Sequence, residues 1–258
     1  MTDSATPLVR FMAPAVLPGT DLVGQSASLE SELEAPHSST IAELPARGHF
    51  STTLSRAVAQ LHELYGELTS YGWRLTSRPG ADQQRAVQGL RGDIDAVADV
   101  RGERLSAGAT SAAITFRALG PLSAAATIAL PSGEKALIDH GARRDLGDSL
   151  AAGVRETMQH VRRSCSPERL HLVIEEPQYA AVLGGYVPTV SGYRSIRSIP
   201  REEARAAIAG FVAAARQGGA DEVYLDTVEP VTTTLTEDHA AAHSGGRQAE
   251  DGVDGFAL

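Results

Sequence analysis

Short apolar runs alternate along this chain with longer stretches of helical period, and that alternation limits its fold more than any other feature. The runs "PLVRFMAPAVL", "STIAEL", "SAAITFRAL", "RLHLVIE" and "DEVYLDT" have the length of buried strands. Between them, apolar residues recur every three or four positions. Leu54, Val58, Leu61, Leu64, Tyr65 and Leu68 predict a helix over residues 52–68, and Val87, Leu90, Ile94 and Val97 predict a second, weakened by Gly89 and Gly92. Leu146, Leu150, Val154, Met158 and Val161 predict a long third helix, with Arg162 and Arg163 suiting its C-terminal dipole. "REEARAAIAGFVAAARQGG" opens with acids and closes on Gly218-Gly219, as a fourth helix would. Parallel strands cannot be joined by a tight turn, so strands separated by helices imply βα units and a largely parallel sheet.

In such folds ligands sit at the C-terminal ends of the strands. Glu43, the Gly120-Pro121 turn, the adjacent pair Glu175 and Glu176 in "VIEEPQ", and Asp226 all fall at such ends. Successive side chains of a strand point to opposite faces, so only one of Glu175 and Glu176 can turn toward a given side. Taken alone, the pair is equally a substrate contact or a surface charge.

The net charge of -9 argues against a general nucleic-acid binder. Residues 229–258 hold Glu229, Glu237, Asp238, Glu250, Asp251 and Asp254 against Arg247 alone, and they lack any periodicity. We therefore expect one folded domain over 1–228 and a disordered acidic tail over 229–258. No apolar run reaches the length of a membrane span, and the start lacks the long apolar core of a signal peptide. The single cysteine, Cys165, excludes an internal disulfide and fits a reducing cytoplasm.

Several chemistries have no support. The chain has no G-x-G-x-x-G after its first strand, no Walker A loop and no G-x-S-x-G elbow. His239 and His243 are spaced for one helix face, but they stand in the tail and read as solvated residues. Cys165 follows two arginines without a His or acid placed to activate it, and reads as a surface cysteine in a helix–strand loop. His140 and His171 read as ordinary helix-end and strand-edge residues.

The segments "ELPARG" (43–48), "GWRLTSRPG" (72–80), "GPLSAAATIALPSGEKALIDHGARRDL" (120–146), "IEEPQ" (174–178) and "GYVPTVSGY" (185–193) carry a resemblance. In order and spacing they are similar to short actinobacterial proteins of the cobalamin-independent methionine synthase family, over about Pro14 to Asp226. The resemblance implies a (β/α)8 barrel and methyl transfer from methyltetrahydrofolate to homocysteine, whose thiol is activated by zinc. It also implies that Glu175 holds the substrate ammonium, where the family usually has Asp. Glu176 takes the neighbouring acidic position, and Glu43 is a second acid facing the amino acid.

Departures from the family pattern matter as much. Val16 stands where a serine helps hold the substrate carboxylate, and Asp226 stands where the first zinc-ligand histidine is expected, with no cysteine after it. About six βα units are recognisable, so the barrel is expected to be incomplete, and no cofactor is expected for this chain. Three readings stay open: a methyltransferase completed by a partner, a non-catalytic relative that binds an amino acid, a folate or a protein, and a truncated product. Open sheet edges would favour oligomerisation.

Overall fold

The protein is described by a computed structural model over residues 10–110, 112–227 and 252–256. In chain order the elements are α1 (Leu22–Glu32), β1 (Ser38–Thr40), α2 (Thr53–Ala59), β2 (Tyr65–Thr69), β3 (Gly72–Thr76), α3 (Ala81–Ser106) and β4 (Ala113–Leu119). Then follow α4 (Pro121–Thr127), α5 (His140–Cys165), β5 (Leu170–Glu175), α6 (Tyr179–Gly184), α7 (Arg201–Gln217), β6 (Glu222–Asp226) and β7 (Gly255–Phe256).

Strands β1, β4, β5, β6 and β7 form one sheet in that order, and every pairing is parallel. The first apolar run adds an incomplete strand beyond β1, through parallel bridges of Met12 to Ser38 and Val16 to Glu43. The order across the sheet thus follows the order along the chain and never reverses. Strands β2 and β3 form a separate antiparallel hairpin.

Alternation sorts the two faces of the sheet. Ile114, Phe116, Ala118, Leu170, Leu172, Ile174, Val223 and Leu225 all enter the buried apolar core with the helices. The residues between them are mostly polar: Thr115 and Arg117 on β4, His171 and Glu175 on β5, Glu222, Tyr224 and Asp226 on β6. Helix α5 lies between α3 and α7 in the apolar layer. It comes close to the end of α2 at Gly153, where an added Cβ would fall 1.5 Å from the Gln60 carbonyl oxygen.

Two sequence expectations need correction. The single helix over 52–68 is instead a short α2 followed by β2. Ser149 accepts from the His62 N–H and donates to its carbonyl, the Gln60 amide bonds to Thr157, and Glu63 takes a positive φ of 60°. These tertiary ties turn the chain where its periodicity would have continued. Within the expected disordered tail, residues 252–256 are ordered: Val253 is buried and Gly255–Phe256 pair with Tyr224 and Leu225. The edge of β6 has unpaired backbone groups that a short strand can satisfy. Residues 228–251 and 257–258 of that tail, His239 and His243 among them, lie outside the described residues. Among the described residues no helix is long and apolar enough to cross a membrane.

Candidate functional site

The C-terminal ends of the strands gather one mixed cluster of charges. Glu175 and Asp226 are direct neighbours in the register of β5 and β6. Arg117 sits on β4 opposite Val173, and its Nη1 lies 3.3 Å from Glu175 Oε1 and 3.3 Å from Asp226 Oδ2. The three side chains are only partly exposed, at 15%, 19% and 26% for Arg117, Glu175 and Asp226. They occupy the polar face of the sheet.

Glu43 joins the cluster from the segment after β1. Its backbone is tied to the first run, with Glu43 N–H donating to Ala15 and Leu17 N–H donating back. Its carboxylate is buried, accepts from the Thr53 hydroxyl at 2.9 Å and stands 4.0 Å from Arg56. Arg56 is itself held by the Ile41 and Ala42 carbonyls and by Asp93 at 2.7 Å, so it is a fixed counter-charge. Arg47 adds a second contact to Asp93 at 2.6 Å.

The electrostatics follow from burial. The Glu43 carboxyl is pushed above the usual carboxylate range by burial, which Arg56 and Thr53 oppose and the charge of Glu175 reinforces. Burial likewise raises Glu175, opposed by Arg117 and reinforced by Asp226. In both acids burial outweighs the counter-charge that Arg56 and Arg117 supply.

Glu176 turns the other way, as strand alternation requires. It is fully buried and accepts the backbone N–H of Leu122 at 2.9 Å and of Ser123 at 2.7 Å, at the start of α4. Burial pushes its carboxyl up to about 7, against those hydrogen bonds. An added Cβ at Gly120 would lie 2.2 Å from Glu176 Oε1, so the glycine of the Gly120-Pro121 turn makes room for this carboxyl. Glu176 therefore braces the strand end and is enclosed away from the open face.

The other sequence candidates lie elsewhere. Cys165 is not a surface loop residue as expected: it is the last residue of α5, buried against Ile94 at the opposite end of the sheet, and burial raises its thiol to about 12. His171 is buried at the start of β5, with burial lowering its pKa, and His140 opens α5 on the surface. In the "DHGARRDL" motif, Asp139 caps α5 by accepting from Ala142 N–H at 2.8 Å, and Arg143 ties α5 to Glu203 of α7 at 2.7 Å. That motif holds two helices together. Val16 is 52% exposed beside Glu43, and its side chain offers a ligand no hydrogen bond.

The donor set does not fit the zinc that the family resemblance implies. Asp226 and Glu175 are already paired with the Arg117 guanidinium, and the cluster offers only hard oxygen donors where a thiolate zinc site needs sulfur. The only thiol is at the far end of the sheet and remains protonated at neutral pH. Among the described residues no three His, Cys, Asp or Glu side chains are grouped to hold a metal.

Arg117 and Arg56 were not singled out from the sequence. Arg117 had a readable signal: a lone charge inside an apolar strand, two residues before the strand ends at Leu119. Arg56 had none, because it reads as an exposed position of an amphipathic helix. Compared with protein-family models, curated proteins and solved structures, the chain matches none of them.

Proposed function

We propose that this chain is a non-catalytic relative of the cobalamin-independent methionine synthase barrel, and that it binds an amino acid at the strand ends through Glu175, with Glu43 and Asp226 beside it. The observation that carries this reading is geometric: Glu175 and Asp226 are neighbours in register at the C-terminal ends of β5 and β6, both partly buried, with the buried Glu43 beside them. A ligand ammonium placed there would gain charge-assisted hydrogen bonds. The strand order supports a (β/α)8-type barrel with about six units: it never reverses, whereas a doubly wound sheet has a switch point. The polar face would then line the interior of that barrel.

On this reading methyl transfer is not performed by the chain alone, because the thiolate ligands that would let zinc activate homocysteine are missing. We assign the protein to the cytoplasm, which suits its single buried thiol. We also assign it to an oligomer, because among the described residues β7 and the Met12–Val16 segment each pair on one side only.

Two assays test the proposal together. Calorimetric titration with L-homocysteine and L-methionine should show saturable binding by the purified chain. Incubation with methyltetrahydrofolate, homocysteine and added zinc should yield no methionine. Methionine formation with one zinc per chain would establish the catalytic reading instead.

A further inference from the structure

A second group of charges lies at the other end of the sheet, where the strands begin. It surrounds an open cavity of about 380 Å³ lined by Arg10, His37, Glu168, Arg169 and His171. His171 forms the inner wall: its side chain is 3% exposed, and neither ring nitrogen has a hydrogen-bond partner. Glu222, beside it in register on β6, stands 3.5 Å from Nε2, beyond good hydrogen-bonding distance. A buried imidazole left without hydrogen bonds is costly, and a ligand in the cavity would relieve that cost. The outer wall is cationic. Arg10 and Arg169 are 43% and 48% exposed, and each donates to Glu222 through Nη1 alone, at 3.1 Å and 2.6 Å. Their Nε and Nη2 groups make no hydrogen bond among the described residues, and on such exposed side chains they are within reach of a ligand. His37 accepts the Phe11 N–H on Nδ1 at 3.1 Å, so its Nε2 carries the proton and can donate. Among the described residues one acid lines the cavity, Glu168, and it is exposed to solvent at the rim.

We propose that this cavity binds the phosphate group of a small phosphomonoester, with Arg10, Arg169 and His37 donating to its oxygens from the rim and His171 meeting it from the inner wall. Guanidinium edges match phosphate oxygens in pairs. Two arginines against Glu222 leave one net positive charge, and a protonated His171 makes two, which suits a dianion better than a monocarboxylate. The cavity has the volume of about a dozen waters, more than a phosphate ion fills, and so has room for the esterified part. Burial holds the His171 pKa down; Arg10 and Arg169 reinforce this, Glu222 and Asp221 oppose it, and the Tyr224 ring packs edge-on at 6.1 Å. A dianion between the arginines reverses that balance, so binding takes up a proton and tightens as pH falls. The site lies at the far end of the sheet from Glu43, Glu175 and Asp226 and does not rest on the amino-acid reading.

Calorimetry at low ionic strength tests it with glycerol 3-phosphate, inorganic phosphate, acetate and sulfate. Wild type should bind one glycerol 3-phosphate per chain, roughly tenfold or more tightly than acetate, and Arg10→Gln and Arg169→Gln should each weaken it by roughly tenfold, as the loss of a charge-assisted contact implies. Tighter binding of glycerol 3-phosphate than of inorganic phosphate supports the monoester; equal affinities overturn the ester assignment and leave a site for the free ion. Sulfate does not itself titrate near neutrality. Its affinity should fall between about pH 6 and about pH 8, and fall less in His171→Gln. His37 is present in both proteins and drops out of that comparison. The two arginine variants alter exposed side chains and keep the test decisive if His171→Gln melts early. No saturable binding of either phosphate compound, acetate binding as tightly, or affinities unchanged in both arginine variants overturns the site. An equal pH slope in wild type and His171→Gln overturns the part given to His171.

Discussion

Replacing Glu176 by Gln isolates the cost of holding a carboxyl inside the fold. Its carboxyl is pushed from an ordinary 4.5 up to about 7, chiefly by burial. That difference corresponds to about 3 kcal/mol between the two protonation states. The unfolded chain releases this proton near 4.5, while the folded chain keeps it until about 7. Between those values the folded state binds more protons, so stability falls as pH rises. The contribution is complete below the unfolded value and lost above the folded one. Urea unfolding followed by circular dichroism, from about pH 4.5 to about pH 8, measures it. Wild type should lose about 3 kcal/mol more across this window than Glu176→Gln does. Glu43 and Glu175 are also raised, but they act in both proteins and drop out of the difference. If the wild-type and variant stabilities stay a constant distance apart at every pH, Glu176 does not titrate as argued, and its brace role would have to be that of a permanent carboxylate.

Three further outcomes follow from the packing around the site. Gly120→Ala should cost about 3 kcal/mol, because its Cβ would fall 2.2 Å from Glu176 Oε1, and a thermal melt of Gly120→Ala combined with Glu176→Ala should show the two costs to be markedly non-additive. Cys165 should react with a thiol reagent only at the rate of global opening, since it is buried and its thiol is raised to about 12; rapid labelling under native conditions would contradict its placement. Arg101→Met should cost about 3–5 kcal/mol by leaving Glu30 buried without its main counter-charge, and Arg101→Met with Glu30→Met should recover much of that loss in denaturant titration.

Hydrophobic periodicity made the layers readable: α5 buries all five residues its spacing implies, α3 buries Leu90, Ile94 and Val97 but leaves Val87 half-buried, α7 forms where a fourth helix was expected, and β4, β5 and β6 fall on the apolar runs. It failed where tertiary hydrogen bonds decide. The 52–68 segment has helical spacing throughout, yet Ser149 holds the chain at His62 and the rest forms a hairpin. Helix α1 was missed because its buried face contains Ser26 and Glu30, with Glu30 made tolerable by Arg101 on α3, far away in sequence. Of the site, Glu43, Glu175 and Asp226 were visible as acids ending strands. That Glu175 and Glu176 face opposite sides followed from strand alternation, but which one lies on the polar face needed the sheet's register. Arg117 stood out as a lone charge in an apolar strand, but its ion pairs could not be read until β4 was placed beside β5, because its partners are on other strands.

If the strand-end cluster binds an amino acid as proposed, it does so without a metal. Calorimetric titration of L-homocysteine into chelator-treated protein tests it most directly, with Glu175→Gln as the comparison. Binding should be saturable with no metal added and weakened roughly tenfold or more in the variant, as the loss of one charge-assisted hydrogen bond implies. Binding that appears only after zinc is restored, or that is unchanged in Glu175→Gln, would contradict it.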